Sequence, residues 1–66
     1  MITVDIERVG RKWNGRKLYR ITVKSGVGQV IYHNQPRRLA WRTMSDVVCK
    51  MVVEERPFQI TGVNEL

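Results

Sequence analysis

The stretch PRRLAWRTMSDVVCKMVVEE, residues 36–55, decides how this chain folds, because it admits two readings. In the first, Pro36 opens one long helix reaching Glu55, and Ala40, Met44, Val47, Val48 and Met51 share a stripe at helical spacing. In the second, Arg38 to Arg42 form a short fourth strand with Leu39 and Trp41 on one face. The helix then begins at Thr43, where Thr43-x-x-Asp46 sets an acid in its first turn. Length favours the second reading. A helix over residues 44–55 is about 18 Å long and matches strands of about six residues at about 20 Å, whereas one from Pro36 is about 30 Å long and overhangs them. Both readings bury Met44, Val47, Val48, Met51 and Val52, and both stop at Pro57, which has no amide to donate. Trp41 is expected to point inward.

Working outward toward the N-terminus, the period changes from helical to two. Ile2, Val4 and Ile6 alternate with Thr3, Asp5 and Glu7, and Tyr19, Ile21 and Val23 alternate with Arg20, Thr22 and Lys24. Asn14-Gly15 between them is a hairpin signal. A tight turn there pairs Ile6 with Val23 and sets Tyr19 opposite Gly10. A slip of two residues pairs Ile6 with Ile21, Val4 with Val23 and Glu7 with Arg20. Either register leaves the same side chains on the same faces, since the strand period is two. Ser25-Gly26-Val27-Gly28 reads as a turn, residues 29–33 as a third strand, and Phe58 and Ile60 as a last strand beyond the helix. The expected fold class is α+β: one domain over residues 1–66, in two layers, an antiparallel sheet of four to five strands (β-β-β-(β)-α-β) with one helix packed on one face.

The size and composition narrow the function classes. A chain of 66 residues and 7.8 kDa exposes about 4,400 Å² when compact and builds one thin core. No apolar run exceeds three residues, Val30-Ile31-Tyr32 being one, so neither a membrane span nor a signal peptide is expected. Cys49 is the only cysteine, which excludes an internal disulfide and a cysteine-rich zinc site and suits a reducing cytoplasm. His33 and Cys49 are the only imidazole and thiol, and nothing in the pattern brings them together. Asp5 and Glu7 share a strand face and would suit a divalent cation only with a third ligand; pairing with Arg20 or Lys24 is the expected arrangement. No enzyme, cofactor or metal is expected.

The charge distribution does point somewhere. The net charge is +6, and Arg8, Arg11, Lys12, Arg16, Lys17, Arg20, Lys24, Arg37, Arg38 and Arg42 follow one another without an intervening acid. Such a surface attracts polyanions, although cations this dense also serve solubility. Arg11, Lys12, Arg16 and Lys17 surround Trp13 at the hairpin tip. There the cations would contact phosphate and Trp13 would stack on a base or pack on a sugar. The bland alternative has Trp13 folded back across the strands.

The expected nucleic-acid site is therefore Arg8, Arg11, Lys12, Trp13, Arg16, Lys17, Arg20 and Lys24, supported by Arg37, Arg38 and Arg42. A two-stranded ribbon fits the major groove, which favours DNA over RNA. In layout alone, a sheet hairpin carrying Arg and Trp before a helix resembles the AP2-type and integrase arm-binding domains, which implies a sheet laid on DNA. The rival expectation is a small inhibitor or adaptor of the phage or mobile-element kind, possibly a homodimer. It would act through Cys49 and Val53 on the outer helix face or through a sheet edge.

Overall fold

The computed structural model describes residues 1–11 and 14–66, Arg11 by its backbone alone. Strands β1 (Ile2–Arg11), β2 (Lys17–Ser25) and β3 (Gly28–Pro36) form an antiparallel meander. Helix α1 (Arg37–Val53) follows without a linker, β4 (Phe58–Thr61) comes next, and a 3-10 turn over Val63–Glu65 closes the chain. The sheet order is β3-β2-β1-β4. It is a four-stranded mixed sheet with one helix packed on it, an α+β fold. No helix among the described residues is long and apolar enough to cross a membrane.

Two expectations are corrected here. Residues 38–42 are helical, so there is no extra strand before the helix, and the longer reading of residues 36–55 holds. The strands are longer than the six residues that favoured a short helix. With nine or ten residues each they run about 30 Å, and a 17-residue helix of about 25 Å lies within them. Thr43 sits inside the helix instead of capping it, and its hydroxyl donates to Gln35 Oε1 at 3.1 Å. The sheet is also not antiparallel throughout. Because α1 carries the chain back along the full sheet, β4 enters in the direction of β3 and pairs parallel to β1, Ile2 with Phe58 and Val4 with Ile60.

The β1–β2 register is the slipped one: Val4 pairs with Val23, Ile6 with Ile21 and Glu7 with Arg20. A bulge at Val9 then shifts it by one, and the ladder ends at Arg11 with Lys17. Asn14 and Gly15 therefore do not form the tight two-residue turn of the unslipped register. Gly15 supplies a positive φ of 84°, and the Arg16 amide donates to Asn14 Oδ1 at 3.1 Å. A second irregularity lies in β3 opposite Arg20, where Asn34 takes φ 51°. Asparagine tolerates that conformation better than most residues. Tyr19 thus lies between two bulges, which coil the sheet locally.

The even residues of β1 and the odd residues of β2 face the helix. Val4, Ile6, Tyr19, Ile21, Ala40 and Met44 form one cluster, with Ile2 and Met51 also buried and Val23, Val47, Val48, Ile60 and Leu66 packed around it. Each large side chain here contributes about 1.5–3 kcal/mol, so few can be spared. Trp41 (41% exposed) and Val52 (61%) were expected inside and are not. Each follows a buried stripe residue, Ala40 or Met51, and the turn of about 100° per residue carries it to the flank. Cys49 and Val53 are exposed on the outer side, as their spacing indicates.

Two chain reversals complete the fold. After Glu54 the helix ends in a Schellman arrangement: the Glu55 amide donates to the Val52 carbonyl at 3.1 Å and the Arg56 amide to the Met51 carbonyl at 3.0 Å. Glu55 occupies the left-handed position at φ 55°, where glycine is usual. Gly62, at φ 79°, folds the last residues onto β1 so closely that a Cβ would lie 2.0 Å from the Ile6 carbonyl oxygen. That reversal brings the Glu65 carbonyl to the Tyr19 hydroxyl, which donates to it at 3.1 Å.

Urea denaturation will test both reversals. Glu55→Gly is expected to stabilise the fold by about 1 kcal/mol, because it removes a left-handed side chain at the helix end. Gly62→Ala is expected to cost at least about 2 kcal/mol, since the strained φ and the clash with Ile6 act together. An unchanged midpoint for Gly62→Ala would contradict the close approach.

Candidate nucleic-acid interface

The topology gathers one end of the sheet. The hairpin link after β1, the start of β2, the junction of β3 with α1 and the turn after β4 all meet there. Leu18 pairs with Pro36 across β2 and β3, so the first residues of β2 lie beside the first turn of α1. Between them is a cavity of about 720 Å³. Its walls carry Arg16 and Lys17 from the hairpin and Arg37, Arg38 and Arg42 from the helix, with Tyr19, Pro36, Leu39 and Leu66 completing the lining. No Asp or Glu side chain is among the described residues that line it.

The electrostatics of this end run against helix stability. Pro36 is the N-cap and makes no side-chain cap bond, and the first turn contains no acid. The free amides of a helix N-terminus carry a partial positive charge that favours anions and disfavours cations by about 0.3–1 kcal/mol each. Here two arginines occupy that turn. None of the five cations is neutralised by a neighbour, since the salt bridges among the described residues are Arg20–Glu7 and Arg56–Glu54. An anion entering the cavity would meet the guanidinium and ammonium groups together with the positive end of the helix.

Trp41 does not line the cavity but stands on the same helix, 41% exposed. It lies four residues after Arg37 and three after Arg38, on adjacent rows of the same helix, with its ring partly in solvent. The same spacing was visible in the sequence, and it would have identified the site once the helix was known to start at Arg37.

The structure divides the remaining expected site residues. Arg8 is exposed and pairs with Tyr19, so it borders the same end on the helix side of the sheet. The Arg11 backbone pairs with Lys17, and Lys12 and Trp13 lie outside the described residues. Arg20 and Lys24 do not join the cavity. They project from the helix-free face, where Arg20 is bound to Glu7 and Lys24 stands opposite Thr3, seven residues along β2 from Lys17. The continuous basic ribbon expected along β2 is therefore interrupted by acid. On that face Asp5 accepts from the Thr61 hydroxyl at 2.7 Å, so the two carboxylates find a hydroxyl and a guanidinium as partners.

No protein-family model, curated protein or solved structure matches this chain. The residues themselves carry the functional reading.

The arginine-lined helix start makes a prediction about stability. Arg38→Glu replaces a repelled cation with an attracted anion and is expected to stabilise the free protein by about 1 kcal/mol at low salt. Thermal melting at low and high salt will check it, the gain shrinking as salt rises. A loss of stability at low salt would mean that Arg38 holds the fold together.

Proposed function

We propose that this protein is a non-enzymatic nucleic-acid-binding domain that holds phosphates in the cavity between the hairpin and the start of α1 and stacks an unpaired base on Trp41. The observation that carries this reading is the cavity lining: five cationic side chains, from two chain segments and without an ion-pair partner among the described residues, converge with no Asp or Glu side chain among them. A merely soluble surface gains nothing from crowding arginines onto the positive end of a helix, where they cost stability. A polyanion offsets that cost by releasing its counterions on binding. The exposed Trp41 turns the preference toward single-stranded segments, whose bases are free to stack. DNA and RNA both fit this grip.

Fluorescence anisotropy with single-stranded and duplex probes over a salt series will test it. Five phosphate contacts give a log–log slope of about −3.5 on single strands. Arg38→Glu is expected to weaken binding and flatten that slope while stabilising the protein. Trp41→Ala is expected to lower single-strand affinity about tenfold or more with the slope unchanged, because stacking is not ionic. Absence of binding to either probe at low salt, or a slope near zero, would overturn the reading.

A further inference from the structure

We infer that β3 is a self-association edge, through which two copies of this chain pair antiparallel into one eight-stranded sheet. β3 is the outermost strand on its side, nine residues long, and open to solvent along Gly28–Asn34. Long edges in soluble proteins are normally blunted by charge, shortness or proline. The opposite edge obeys that rule, since β4 has only four residues. β3 does not: it carries no Lys, Arg, Asp or Glu, and the Asn34 bulge and Pro36 interrupt only its last part. Gly28–His33 is left as a regular strand with Val30 (55% exposed), Ile31 and Tyr32 in solvent.

A second copy is the occupant that the charges and the pattern favour. A chain of net charge +6 repels itself except along a neutral seam, and among the described residues β3 is the only long strand without a charged residue. A two-fold axis makes edge pairing antiparallel and self-complementary. Centred on Ile31, it sets Val30 of one copy against Tyr32 of the other and Gln29 against His33. These are a β-branched–aromatic pair and a polar pair, with no like charges opposed. The seam continues at the Gly28 end into a cavity of about 400 Å³ bordered by Val23, Val27, Val30 and Met51, with Arg56 the one cation in its lining, where the β3 end of the second copy arrives.

The two-fold axis is perpendicular to the sheet, so both helices and both basic cavities lie on one side. The cavities sit at opposite ends of the shared ribbon, about 30 Å apart by strand length. For the nucleic-acid reading proposed above, on which only this last consequence rests, one polyanion would span both.

Sedimentation velocity of the full chain without nucleic acid, from about 1 µM to about 1 mM, will test the pairing. A concentration-dependent dimer is expected. Ile31→Lys, which opposes two like charges at the two-fold axis, is expected to weaken it at least tenfold. Val30→Lys is expected to act in the same direction and Val53→Asp to have no effect. Circular dichroism will show that each variant is folded. Hydrogen exchange is expected to slow at Val30–His33 as concentration rises. A wild-type monomer at the highest concentration would overturn the inference. So would a dimer that withstands both lysines, or one that Val53→Asp dissociates. Nucleic-acid binding by the folded Ile31→Lys monomer keeps the two proposals separable.

Discussion

Tyr19 lies in the same cluster as Ala40, with 1% of its surface exposed, and its hydroxyl is held by the Glu65 carbonyl. It is the largest of the fully buried side chains, beside Ile21 and Val4. Three arrangements depend on its burial. Ala40, fully buried, supplies the helix side of the cluster that holds it. The two bulges on either side of it coil the sheet around the ring. The chain end must fold back through Gly62 to satisfy the hydroxyl, because a buried phenol without a partner costs about 1–3 kcal/mol. The same ring also contributes to the lining of the basic cavity. Core and candidate site therefore share a side chain, as a chain of this size leaves little material for two separate structures.

The start of α1 shows a conflict between folding and binding. Local helix rules ask for a capping side chain and acids in the first turn. The chain supplies Pro36, Arg37 and Arg38 instead. The other end of the helix is also imperfect, with Glu55 where glycine fits best, but there the charges are of both signs and Arg56 is paired with Glu54. Departures from local preference tend to gather where a surface does something besides fold. The arginine-rich helix start, facing Arg16 and Lys17 across an open cavity, fits that pattern. The helix end does not.

Much of the layout was legible. Alternation in β1 and β2 identified Ile2, Val4, Ile6, Tyr19 and Ile21 as core, because a half-buried strand leaves a period-two signature whatever its register. Met44 and Met51 were legible under either reading of the helix, whereas Ala40 joined their stripe only in the longer one. Residues 38–42 were misjudged because Leu39 and Trp41 also alternate, and both turn out to be exposed on the helix flank. The strands run longer than expected because Gly10 and Asn34-Gln35-Pro36 look like breakers, while bulges carry the ladder past Gly10 and Asn34. Of the expected site, Arg16, Lys17, Arg37, Arg38 and Arg42 come together, whereas Arg20 and Lys24 fall on the other face.

By itself the sequence determined the net positive charge, its concentration between Arg8 and Arg42, the two apolar strand faces and the helix stripe, since composition and periodicity are local properties. Only the tertiary structure decided which cations share a cavity, which aromatic stays in solvent and which edge is left open. Those depend on a one-residue bulge, a helix that starts one residue after the β3 ladder ends, and a strand that returns parallel. None of these alters local composition, yet each moves a side chain to another face or another end of the sheet.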